Sequence, residues 1–250
     1  MPKKIDFLHS IAKQLIVLDR AKNKIINGKN SEALHQFRVA LRRLRCLLPI
    51  VLKPNKKLDA AILKAWHALA KLSSPTRDAE VMLALLGKDI NAAQFNSLSK
   101  AYVEGIAILK AALSTTDVAT LAISTLQHCQ RRSKKMSKAQ LKHQVLSQAS
   151  QQIQALTNKK IASASMEQWH QRRAHIKHLR YLNTLATAWL PARFHALSPL
   201  LKTAQTSLGK LHDASVLAQW LEKKRVKKSH WHNAQRDWKK LSVQLGYIHQ

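Results

Sequence analysis

The eleven residues HQFRVALRRLR, His35 to Arg45, place His35, Arg38, Arg42 and Arg45 at spacings of three, four and three. In an α-helix, at about 100° per residue, these four side chains fall within an arc of roughly 80°. A guanidinium is a permanently charged planar fork that pairs bidentately with phosphate oxygens. Three of them in one row with a histidine repel one another, and an anion relieves that repulsion. The chemistry this stretch suits is anion recognition. The pattern recurs in WHQRRAHIKHLRYL, where His170, Arg173, Lys177 and Arg180 each stand 135 positions after their counterparts. Asp78, Ala79 and Val81 return as Asp213, Ala214 and Val216 at the same offset. Two segments sharing one offset imply a duplicated unit of four or five helices.

Helices must position these rows. Leu34, Phe37, Leu41, Leu44, Leu48 and Val51 recur at three/four spacing through the first motif and predict a core stripe. The cationic row sits one residue on, about 100° around the helix, so it borders the buried face. The first half reads as helices at about 4–27 (stopped by Gly28), from a Ser31 cap to Pro54 with a bend at Pro49, 56–73, 75–87 and 91–114. Ser74 and Pro75 suggest a cap and a first-turn proline, and Gly87 a stop. The second half reads as 137–158, 166–190, 193–208, 211–225 and 228–247, with Gly209 as a break. The expected organisation is a half at 1–116, a connector at 117–135 and a half at 136–250, all of it α-helical.

Composition agrees. Five glycines and six prolines in 250 residues favour helix, and 46% hydrophobic content supports a core. The 43 Lys and Arg against 13 Asp and Glu give a formal charge of +30. That charge points to a polyanion: nucleic acid, a phosphate polymer or an anionic membrane surface. Cys46 and Cys129 make no disulfide framework, and a reduced cytoplasmic setting is expected. The opening segment reads as an amphipathic helix of the fold, not a signal peptide, and no membrane span is expected.

Each candidate has a plainer reading beside it. A basic row can be a solvated face, but one without a ligand has no reason to recur in register. His35 and His170 can donate to phosphate or be polar residues satisfied at the core's edge. Beside phosphate, a protonated imidazole is favoured, so binding is expected to strengthen below neutral pH. His175 with His178 and His230 with His232 suggest metal, but few carboxylates accompany them and the field repels a dication, so no metal or other cofactor is expected. Asp78 and Asp213 are read as structural, holding a motif arginine or capping a helix, not as catalytic acids. Trp66, Trp169, Trp189 and Trp220 are read as core. Trp231 and Trp238 are read as helix-face packing before base-stacking. Phosphate-binding glycine loops, a Cys-His nucleophile pair and paired-carboxylate metal signatures are missing, so a binder and not an enzyme is expected.

The residues quoted resemble the conserved histidine α-helical domain, the CHAD family. Its His-x-x-Arg-x-x-x-Arg-x-Leu-Arg pattern is matched from His35 to Arg45, its Gly-x-x-Arg/Asn/His-Asp segment from Gly209 to Asp213, and its Lys-x-Leu-Arg-Tyr ending from Lys177 to Tyr181. The resemblance implies two antiparallel helical bundles related by a pseudo-twofold axis around a basic central cavity. It implies inorganic polyphosphate as ligand, polyphosphate granules as a location and polyphosphate-metabolising proteins as partners. Nucleic acid is the second choice. The Glu-x-Glu-x-Lys strand of the tunnel phosphatases fused to some family members is missing. Candidate polyphosphate contacts are His35, Arg38, Arg42, Arg43, Arg45 and Arg77, with His170, Arg173, Lys177, Arg180 and Lys202. Lys13, Arg20 and Lys24 are read first as solvated surface. The chain departs from the pattern at Ser74 where the other half has Gly209, at Arg172 in the place of Phe37, and at His178 in the place of Arg43.

Overall fold

The computed structural model describes residues 3–28, 30–86, 91–157, 165–220 and 227–249. Among these every regular element is helical. The chain divides into two compact units, Lys3–Leu141 and, for the remainder, Lys142–Gln250. No single helix among the described residues is long and apolar enough to cross a membrane.

The N-terminal unit begins with α1 (Lys4–Ile26), which buries Phe7, Ile11, Leu15, Leu18 and Ile25. Gly28 follows at φ +83°, a left-handed conformation that favours glycine and ends the helix as expected. In α2 (Asn30–Val51) the whole predicted stripe from Leu34 to Val51 is buried. The helix runs through Pro49 and ends before Pro54. Then come α3 (Lys57–Leu72), α4 (Ser74–Leu86) and α5 (Ala92–Thr115). At Gly105 an added Cβ would stand 2.7 Å from Thr76 Oγ1, so α4 and α5 approach closely only because this residue has no side chain. That contact seats α4 one residue before Arg77. Gly87 and the side chain of Ser31, both expected at helix ends, lie outside the described residues.

Residues 117–135 are not a connector but α6 (Val118–Lys134), which belongs to the N-terminal unit. Asp117 caps it, accepting the Thr120 N–H at 2.9 Å. Its inward face includes Thr125 and Ser133, which interrupt the apolar pattern. Thr125 Oγ1 instead accepts the Trp66 indole N–H at 3.1 Å. Asp59 of α3, 2% exposed, ties α3 to α6 by accepting from Arg132 Nη2 at 2.7 Å and pairing with His128 Nε2 at 2.6 Å.

The C-terminal unit holds α7 (Lys138–Thr157, whose first turn straddles the division), α8 (Met166–Leu185), a 3-10 turn at Thr187–Trp189, a short α9 (Ala192–His195), α10 (Ser198–Trp220) and α11 (Lys228–His249). The helix expected to reach residue 190 ends at Leu185, where Asn183 Nδ2 turns to the Phe194 carbonyl at 2.7 Å. Gly209 breaks nothing: α10 passes straight through it. A lone glycine costs a helix about 1 kcal/mol, which the burial of Leu201, Ala204, Leu208 and Leu211 offsets. Trp66, Trp169, Trp189 and Trp238 are buried as read, while the side chain of Trp220 lies outside the described residues.

Burial pushes the Asp59 carboxyl up, but the Lys53 N–H, His128 and Arg132 outweigh it and hold the group below its ordinary value. A depressed carboxylate contributes stability above the unfolded value of about 3.9 and loses it as pH falls through the folded one. Asp59→Asn is expected to lower the unfolding free energy by about 3 kcal/mol at pH 7. In denaturant titrations the gap to wild type should shrink on acidification below about pH 4.

Candidate anion-binding site

The first cationic row sits where α2 faces the junction of α3 and α4. Arg38 is anchored there by three acceptors: Nη1 donates to Ser74 Oγ at 2.9 Å, Ser73 Oγ at 3.2 Å and the Ala70 carbonyl at 3.3 Å. Ser74, expected to cap α4, commits its hydroxyl to the Ala70 carbonyl and to Arg38 instead. Arg77 Nη2 lies 3.4 Å from His35 Nδ1. Arginine only donates, so any hydrogen bond here has Nδ1 as its acceptor. Arg77 Nη1 is held by Glu80 at 2.5 Å.

The charge of this cluster is felt most at Arg38. Burial pushes it down, and Arg42, Arg77 and Arg45 push it further against the opposing pull of Asp78, to about 10. Arg38 stays charged at neutral pH, in a setting where a bound anion would relieve the strain. His35 and Arg42 are half-buried and Arg45 is exposed. Arg43 lies round the helix from the row, donating to Gln14 Oε1 of α1 at 3.3 Å. Asp78 is exposed and acts as a charge beside Arg38, not as a helix cap.

The C-terminal unit builds a matching arrangement on α8 and α10. His170 and His212 meet with Nδ1 atoms 3.4 Å apart and ring centroids 4.8 Å apart. His212 occupies the position 135 after Arg77, so this pair and His35–Arg77 are equivalent by sequence and by contact. Arg173 lies against Gly209, its Nη2 3.8 Å from where a Cβ would stand, just as Arg38 lies against Ser74. Arg180 Nη1 donates to Gln205 Oε1 at 2.9 Å. Burial, then Arg173, His170 and Lys177, push the His212 imidazole down to about 4. Burial raises Asp213, against the opposing pull of Arg173 and Lys177. Lys202, expected beside this row, instead lines a groove toward α11.

Sequence reasoning missed His212, Ser73 and Gln205. The offset could have found His212, because Arg77 was already a candidate. Arg172, at the core position of Phe37, is 1% exposed and packs its guanidinium 4.7 Å from the Trp169 ring and 5.2 Å from the Trp238 ring. Among the described residues no group of three or more His, Cys, Asp or Glu side chains is placed to hold a metal ion. Cys46 and Cys129 are buried and pushed up to about 12, so they remain thiols at neutral pH.

A family model, that of the CHAD domain, matches residues 9–222. A comparison with curated proteins returned no match. Among solved structures, the chain is similar to the CHAD domain from the plant Ricinus communis, with a TM-score of 0.71 at 19% identity, covering 96% of this chain and 90% of that one.

The depressed His212 has a measurable consequence. Neutral at pH 7, it should take up a proton when an anion enters and offsets the field of Arg173 and Lys177. Imidazole NMR is expected to show His212 titrating near pH 4 in the free protein. Saturating tripolyphosphate should raise that value, with affinity increasing as pH falls from 7 toward 5. An unchanged His212 titration under saturating anion would remove it from the site.

Proposed function

Because the chain belongs to the CHAD family, we propose that it binds inorganic polyphosphate, by Arg, Lys and His side chains displayed in rows on α2 and α8. The observation that carries the reading is the cluster around Arg38, where four like charges are gathered by helix packing against two carboxylates, Asp78 and the Glu80 that pairs with Arg77. Polyphosphate carries about one charge per phosphate on a flexible thread without bases or sugars. A row of cations spaced along a helix suffices to recognise it, and His35 to Arg45 rises about 15 Å. The motif resemblance favours the same ligand. The function is binding without turnover, at polyphosphate granules or on proteins that metabolise the polymer.

Nucleic acid satisfies the charge but not the chemistry of the rows. Base readout uses Asn, Gln or aromatic groups on an exposed element, whereas these rows present cations and imidazoles.

Labelled long-chain polyphosphate competed against equal charge of DNA or RNA at physiological salt tests the reading. Polyphosphate should win, and a preference for nucleic acid would reverse the assignment. The double variant Arg42→Ala with Lys177→Ala removes two charge-assisted contacts of about 1.5 kcal/mol each. It should weaken polyphosphate binding roughly a hundredfold and flatten its salt dependence, while thermal stability barely moves. Equal damage to folding would mark these residues as structural. Phosphate release from polyphosphate with divalent ions, lost on Asp78→Asn or Asp213→Asn, would reveal an enzyme instead.

A further inference from the structure

The C-terminal unit carries a second basic lining that the α8 row does not use. Lys202, Thr206 and Lys210 stand at i, i+4 and i+8 on α10, a row rising about 12 Å. It lies about 100° around the helix from Gln205 and His212, which face α8. Opposite it, α11 supplies His230, Arg236 and Asp237. These side chains line a groove of about 450 Å³. Small-molecule sites span about 300–1,000 Å³.

Lys202 and Lys210, with Arg236 paired to Asp237, set the sign of the ligand. Asp237 sets its kind. This residue is 7% exposed, and its Oδ1 accepts from Arg236 Nε at 3.0 Å. A carboxylate in a basic groove repels a bare polyanion. It suits a ligand that brings hydroxyl or amine donors beside its phosphate. Pro199 adds apolar lining that a carbon framework can cover.

We propose that the α10–α11 groove binds a phosphorylated small molecule of the sugar phosphate or nucleoside phosphate class, with the phosphate on Lys202 and Lys210 and its hydroxyls on Asp237. This site is separate from the α8 row and does not rest on the polyphosphate reading.

Two-dimensional NMR on the full chain tests it with ribose 5-phosphate, AMP, ribose and pyrophosphate as probes. Ribose 5-phosphate or AMP should shift resonances of residues 202–210 and 230–237, and ribose alone should not. Tighter AMP assigns a nucleoside phosphate, and equal affinity assigns a sugar phosphate. Lys210→Glu, at an exposed position, should weaken either ligand by roughly tenfold or more. Asp237→Asn should weaken ribose 5-phosphate and leave pyrophosphate unchanged or tighter. The proposal is overturned if pyrophosphate binds most tightly, if the shifts fall on α8, or if no probe shifts the groove at millimolar concentration.

Discussion

Like-charge crowding is the constraint on which the rest of this molecule turns. An isolated helix with His35, Arg38, Arg42 and Arg45 on one arc would splay their side chains into water. Here α2 cannot turn away, because the adjacent face, from Leu34 to Val51, is fixed in the core. The α3–α4 junction then holds Arg38 through Ser73, Ser74 and the Ala70 carbonyl. Folding energy from apolar burial thus holds together charges that would otherwise separate.

The two units reach this arrangement with different residues. Arg77 meets His35 in one, and His212 meets His170 in the other. In the first cluster the partner of the motif histidine is an arginine, a permanent charge. In the second the partner is His212, an imidazole pushed down to about 4. Ser74 gives Arg38 a hydroxyl acceptor, whereas Gly209 beside Arg173 offers no side-chain acceptor. Arg172 brings a charge into the position that Phe37 fills with a ring, and the Trp169 and Trp238 rings pack around it. A duplicated sequence pattern therefore yields two corresponding charged clusters that differ in the partner of the motif histidine.

Much of this was legible in the sequence, for local reasons. The α2 stripe follows helical periodicity with no interruption, and Gly28 adopts the positive φ that its place after α1 requires. The motif rows and their offset identified most of the two charged clusters. What escaped depended on contacts between distant positions. The inward polar residues of α6, Thr125 and Ser133, hid a helix that reads locally as a connector. Asp59 finds His128 and Arg132 about seventy positions away, with no pattern to announce it. Gly209 reads as a break but is tolerated, because packing on both sides holds α10. Lys202 reads as a supporting cation supplied to the rows from a neighbouring helix, yet its place on α10 turns it toward α11.

The crowded cations are proposed seats for phosphate. A crystal structure of the chain with bound polyphosphate at physiological salt tests this most directly. The account predicts phosphate oxygens about 3 Å from the guanidinium groups of Arg38, Arg42 and Arg77, and from Arg173 and Lys177. Ordered phosphate elsewhere on the surface, with these rows bare, would contradict it.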